Sequence, residues 1–308
     1  MIKTAKTAVI FPGQGLQALG MGKHFSKEVW SYLFEATKKV LGEDLAEYLF
    51  YLMSAKSLEA DGIAREKLQK EINKYSQLTT LIVSWGEWIV FCEKPSFQMP
   101  DFVAGHSLGE FTALTVAGVI TFPEALEIVY ARNSLMVIAS NLFRGGMIAV
   151  ISAKGEIKRN EIENCFSGTG VRVANFNHPQ QVVVSGLKNE LLQVDSLLRK
   201  NGYRTIWLPV IGPFHHPIYM RLAMIGLEYI LNLSHIKIRK TQILIFSNAS
   251  GCLFPNNTES IKSLMIQQVA SPVRWEDIIW RLAQEKVAEI KEVGPGQVLT
   301  NMLKHFSR

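Results

Sequence analysis

Val103-Ala104-Gly105-His106-Ser107-Leu108-Gly109-Glu110 decides the reading of this chain. Phe102 to Ala104 read as the end of a buried strand, and Leu108 to Val119 as a helix opening directly behind it. A Gly-x-Ser-x-Gly at such a switch is a nucleophile elbow. The turn is too tight for flanking side chains, so Gly105 and Gly109 let backbone and helix close around Ser107. The serine hydroxyl is then presented at a helix N-terminus, where free N–H groups and the dipole favour developing negative charge. Alone the pattern is common, so its surroundings must carry the argument.

Upstream, Thr7 to Phe11 is a short β-rich run ending in Pro12-Gly13-Gln14-Gly15, which puts Gln14 and its backbone N–H at a sheet edge. Helical spacing covers 26–41 and 43–53, and Ser76 is placed to cap a long helix to about Cys92. Thr121 caps the helix that follows the elbow helix, with Pro123 and Glu124 in its first turn. Then the period changes. Strands at 147–152, 171–176, 181–185 and 205–210 alternate with helices at 156–165 and 187–200, a βαββαβ order of the ferredoxin-like kind. The expected fold is therefore α/β, with an α/β-hydrolase-like large domain (1–143 and 212–308) and an inserted ferredoxin-like small domain (144–211). The returning chain reads as a helix at 216–231, a strand at 242–246, a helix to Ala270 broken by Ser271-Pro272, a helix at 275–285 and a strand at 287–291.

With 308 residues, 48% of them hydrophobic and 19% charged, the chain has an ordinary globular balance. No apolar run approaches the roughly 20 residues of a membrane span. Leu78 to Cys92 comes nearest, but Ser84, Glu87 and two tryptophans make it a buried helix. The N-terminal stretch (MIKTAKTAVIFPGQG) has too short an apolar run for a signal peptide. Three widely spaced cysteines without metal-ligand spacing read as reduced thiols, which implies the cytoplasm and no metal. The net charge of +6 is spread rather than blocked. That argues against nucleic acid and suits an acidic partner or a phosphate-bearing substrate. A monomer is expected.

A serine needs a base. His106 adjoins the nucleophile and should point to the other side of the elbow. His178 lies in a turn, and His24, His235 and His305 have no companion motif. His215 follows a strand and a Gly212-Pro213 turn, where α/β folds gather their sites, with His216 as the alternative beside it. Phe11-Pro12-Gly13-Gln14-Gly15, Gly105 to Glu110, Arg132, Gly212-Pro213-Phe214-His215, Gln268 with Ser271-Pro272-Val273-Arg274-Trp275, and Glu292-Val293-Gly294-Pro295-Gly296 occur in order. Together they resemble the malonyl-CoA:acyl carrier protein transacylases of fatty-acid and polyketide synthesis, over nearly the whole chain.

That resemblance implies a freestanding acyltransferase working by ping-pong, with malonyl-CoA as substrate and no bound cofactor. Ser107 would be the nucleophile and His215 the base. The backbone N–H groups of Gln14 and Leu108 would form the oxyanion hole, and the main chain of Gln268 would orient the histidine. Arg132 would grip the malonyl carboxylate with its planar fork. Gln77, Phe214 and His106 would line the pocket, a bulky Phe214 favouring malonyl over methylmalonyl. The partner would be an acidic, phosphopantetheinylated acyl carrier protein, met by Lys154, Lys158, Arg159 and Arg172. Departures from the family pattern are Leu16, Ser76-Gln77-Leu78, His216 and Tyr219, the last two expected at the pocket mouth. The rival readings are an acyl hydrolase that clears carriers and a non-catalytic carrier-docking module. Arg132 speaks against the first, and the Ser107, His215, Gln14 set against the second.

Overall fold

The computed structural model describes residues 5–306. Met1 to Thr4, the start of the stretch read as too short for a signal peptide, lie outside them. The first elements are β1 (Thr7–Phe11), α1 (Lys27–Leu41), α2 (Glu43–Met53), α3 (Gly62–Lys74), α4 (Ser76–Cys92), β2 (Phe102–Gly105) and α5 (Gly109–Val116). Next come α6 (Phe122–Phe143), β3 (Gly145–Ile151), α7 (Arg159–Asn164), β4 (Arg172–His178), β5 (Gln181–Leu187), α8 (Lys188–Lys200) and β6 (Arg204–Trp207). The chain finishes with α9 (Arg221–Leu231), β7 (Leu244–Ile245), α10 (Thr258–Gln268), β8 (Val273–Arg274), α11 (Trp275–Gln284), β9 (Glu289–Glu292) and α12 (Val298–Leu303). It is a mixed α/β protein with two sheets in two compact units.

The first unit comprises 1–133, 234–245 and 287–299. Its sheet runs β7-β2-β1-β9, every pair parallel, with Val9 opposite Val103 and Phe11 opposite Gly105. Both faces of such a sheet are covered, so Val9, Ile10, Phe11, Phe102, Val103 and Ala104 are all buried, as the unbroken apolar runs require. The register sets the C-terminal ends of β1 and β2 side by side, which brings the turn carrying Gln14 next to the elbow.

A capping box opens α6. The Thr121 N–H and hydroxyl donate to Glu124 Oε2 at 2.7 and 2.8 Å, and the Glu124 N–H returns to Thr121 Oγ1 at 3.4 Å. Arg239 grips the same carboxylate from the far side at 2.7 and 3.2 Å, and the Lys237 N–H donates to it at 2.9 Å. Burial alone would raise the Glu124 pKa, but Arg239 and the two backbone donors pull it down to about 2. The folded value lies below the unfolded one, so the stabilisation is complete above about pH 5 and lost as pH falls toward 2. It amounts to roughly 3 kcal/mol. Glu124→Gln should therefore lower the urea midpoint at pH 7 and flatten its decline between pH 5 and pH 3. An unchanged acid limb would show that other carboxylates carry the effect.

The second unit comprises 134–233, 246–286 and 300–308. Its sheet runs β6-β3-β5-β4-β8, antiparallel except for the β4–β8 pair. Alternate residues of β3 and β5 (Ile148, Val150, Val182, Val184) meet Leu191, Val194 and Leu198 from one face of α8. Each such side chain contributes roughly 1.5–3 kcal/mol.

Several expectations need correction. Ser76 does not cap α4: Tyr75 holds the N-cap position without a side-chain bond, and Ser76 is the first helical residue. The helix expected from His216 begins at Arg221, because residues 216–220 are held in turns. The elbow helix stops at Val116, short of Val119, where Gly118 takes φ +74°. The strand expected to Val210 ends at Trp207. Val273–Arg274 is a strand that no local pattern announced, and it joins the second sheet by pairing with β4.

Candidate active site

The elbow is built by close backbone approach. A Cβ on Gly105 would sit 1.9 Å from the Gly109 carbonyl carbon, and one on Gly109 would sit 2.2 Å from the Phe11 carbonyl oxygen. Only glycine fits at either position. The His106 N–H donates to Phe11 O at 3.0 Å, and the Gly109 N–H to His106 O at 3.0 Å, which locks the turn to β1. Ser107 takes φ +51°, a conformation costing a serine about 1–3 kcal/mol, and is 8% exposed. Leu108 is the buried N-cap of α5. Gln14 is half-buried in the turn after β1.

Arg132 is 1% exposed on α6 and reaches the same elbow. Its Nη1 donates to Gln77 Oε1, and its Nη2 to Ser107 Oγ at 3.4 Å. The guanidinium lies over the Phe111 ring, 5.5 Å from the centroid. Burial pushes its pKa down to about 10, and the charge of Glu110, itself fully buried, works against that. The group is still cationic at neutral pH. A buried cation is costly unless an anion comes to it. Ser107, Gln77 and Arg132 thus make a cluster that can seat a carboxylate beside a strained hydroxyl.

In the second unit His215 is 3% exposed and takes φ +58°. The Gly212-Pro213-Phe214 turn before it is tightly packed: a Cβ on Gly212 would meet Ser140 Oγ at 1.9 Å, and one on Gly145 would meet Pro213 at 2.7 Å. Phe214 is buried. His215 Nδ1 lies 3.0 Å from Gln268 O and 3.1 Å from Ser271 O. Carbonyls only accept, so Nδ1 carries the proton and Nε2 presents a lone pair. Two main-chain carbonyls thus do the orienting. Gln268 was foreseen and Ser271 was not; its signal was the Ser271-Pro272 break that ends the stretch after α10. Glu110 and Phe111 were missed as neighbours of Arg132, though both stand in the first turn behind the elbow.

Of the basic residues expected to meet a partner, Lys154, Lys158 and Arg172 are exposed. Arg159 is instead tied to Asp277 at 2.6 Å and Glu276 at 3.6 Å, and lies over Phe176, so it serves the fold. Neither His216 nor its neighbour Tyr219 simply lines an opening: His216 is fully buried and stacked on Tyr219. Among the described residues no group of three or more His, Cys, Asp or Glu could hold a metal ion. No described helix is long and apolar enough to cross a membrane.

Comparison with known proteins gives one answer. The model of the acyl transferase domain family matches residues 8–307. A malonyl CoA-acyl carrier protein transacylase of Bacillus subtilis is 34% identical over 306 residues, covering 99% of this chain and 91% of the relative. The polyketide biosynthesis malonyl CoA-acyl carrier protein transacylase PksC of the same organism is 32% identical, over 97% of this chain and 96% of its own. A solved complex of a type II PKS acyl-carrier protein with its malonyl-transacylase superposes with a TM-score of 0.84 at 30% identity, covering 98% of this chain and 93% of that one.

Proposed function

We infer the activity from one premise: the chain belongs to the acyl transferase domain family. It moves a malonyl group from malonyl-CoA, through a serine ester, to the phosphopantetheine thiol of an acyl carrier protein. In our reading Ser107 Oγ attacks the thioester carbonyl while His215 Nε2 takes its proton. The oxyanion is met by the N–H groups of Gln14 and Leu108. On collapse the C–S bond breaks, and the proton passes from His215 to the departing CoA thiolate. The carrier thiol then gives its proton to His215 and its sulfur to the ester carbonyl, which frees Ser107. The Nδ1 bonds to Gln268 O and Ser271 O support this role, because they hold Nε2 in the proton-accepting tautomer throughout. The chain itself supplies nucleophile, base and charge, so the chemistry calls for no bound cofactor.

Further parts of the reading have separate supports. The order β3-α7-β4-β5-α8-β6 with neighbours β6-β3-β5-β4 supports a ferredoxin-like small domain over 144–211. The parallel sheet with a serine at the β2–α5 turn supports an α/β-hydrolase-like large domain over 1–143 and 212–308. A charged edge strand, Glu289 to Glu292, discourages pairing between chains and supports a monomer. Three free cysteines support a cytoplasmic setting. The net charge of +6, with Lys154, Lys158 and Arg172 exposed, supports an acidic carrier as partner.

The observation that carries the malonyl reading is Arg132, a buried cation bonded to the nucleophile's oxygen. A hydrolase clearing neutral acyl groups has no use for it. Arg132→Ala should lose malonyl loading by on the order of a hundredfold, because a charge-assisted bidentate pair disappears. Acetyl loading should persist or rise. Arg132→Lys should recover only part of the loss, since a point charge cannot reproduce the fork. The measurement is the ratio of malonyl to acetyl self-acylation by intact mass. An unchanged ratio in Arg132→Ala would reopen the hydrolase reading.

A further inference from the structure

His216 follows the base, and both of its ring nitrogens are committed. Nε2 lies 2.7 Å from Gly170 O, and a carbonyl only accepts, so Nε2 carries the proton. Nδ1 accepts from the backbone N–H of Ile218 at 3.2 Å and of Tyr219 at 3.4 Å, so it carries none. The ring is a neutral imidazole in one tautomer. It stacks on Tyr219 at 4.2 Å and 26°, and Tyr219 meets Phe143 at 5.0 Å. The Nδ1 bonds close the turn as an asparagine side chain closes an Asx-turn. The Nε2 bond ties that turn to Gly170, whose own N–H donates to Glu190 Oε1 at 2.8 Å. His216 therefore anchors the backbone one residue beyond His215, which itself sits in a strained left-handed conformation.

We propose that His216 is a positioning residue that holds the His215 loop only while its imidazole is neutral, so that acid inactivation is a two-proton event. The proposal rests on His215 being the base. A proton on Nδ1 would set N–H against the N–H groups of Ile218 and Tyr219 and break the turn. Burial is the largest influence on His216 and holds its pKa below the ordinary histidine value. The Gly170 carbonyl and the Glu190 carboxylate on α8 favour a proton there, while Arg172 at the start of β4 disfavours one. Tyr219, the titratable group on its own turn, stays neutral because its pKa is raised. In the family the position after the base is usually small, so this device belongs to this chain's own departure.

The test is the pH profile of kcat/KM for malonyl transfer from about pH 4.5 to 8, where the acid limb counts protons. Wild type is compared with His216→Asn, which keeps an acceptor for the turn, and His216→Gln, which keeps a donor for Gly170. Neither replacement titrates, and circular dichroism restricts the data to folded protein. The wild-type limb should steepen from a slope of one toward two as pH falls. Both variants should hold a slope of one, with kcat lowered about tenfold and KM for malonyl-CoA little changed. A wild-type slope of one throughout, or variants as steep as wild type, overturns the proposal. Should neither variant fold, nitrogen-15 spectra of the wild-type histidines decide, since a Nδ1-protonated His216 at pH 7 also overturns it. His215→Ala is run alongside. If it turns over normally the base assignment fails; if it is inactive and the slopes are unchanged, only the His216 role fails.

Discussion

Ser107→Ala takes up no acyl mass from malonyl-CoA and passes none to a carrier, while unfolding at nearly the wild-type urea concentration. Loss of the hydroxyl removes the atom that forms the ester, so no other group can substitute in a ping-pong scheme. The fold is spared because alanine keeps the Cβ and with it the same strain at φ +51°. What disappears from the packing is the long 3.4 Å bond from Arg132 Nη2, worth about 1 kcal/mol or less. An acylated Ser107→Ala protein would move the nucleophile elsewhere. A protein that fails to fold would mean that the hydroxyl, and not the glycines around it, holds the elbow.

His215→Ala should cut transfer by about 10³–10⁴-fold, the usual scale for losing a placed general base. The ester on Ser107 should still form slowly, since the nucleophile remains. His216→Ala should cost far less, because that ring spends both nitrogens on backbone groups and has no lone pair to offer. The readout is single-turnover acylation followed by transfer to a carrier. Equal damage from the two changes would overturn the choice of base.

How much of this was legible beforehand depended on whether each feature was local. The apolar runs at 7–11 and 102–105 announced two buried parallel strands, and the paired glycines at 105 and 109 announced the elbow. Alternating strands and the amphipathic helix at 188–200 gave the order of the second sheet. Strands β7 and β8 were beyond reach because two residues cannot display a period; they are strands only through partners more than ninety residues away. The site divides the same way. Ser107 and His215 sit in turns with their own glycine signature. Gln268, Arg132 and Gln77 could be assigned only through likeness to a family, since their roles come from tertiary neighbours. The tautomer of His216 had no sequence signal at all, for it is set by the carbonyl of Gly170.

Both sheets are completed by strands that the ribosome delivers last. Thr7 on β1 pairs with Glu289 on β9, and Asn175 on β4 pairs with Val273 on β8. At roughly 5–20 residues per second, β1 waits about 15–60 s for that neighbour. Until then Val9 and Ile10 belong to a sheet with an open edge, which is the most aggregation-prone state such a strand can occupy. Truncations that remove the last twenty residues would therefore be expected to accumulate in inclusion bodies even though they leave Ser107, Arg132 and His215 intact. Holdase chaperones acting during synthesis should then matter more to the yield of this enzyme than its final stability does.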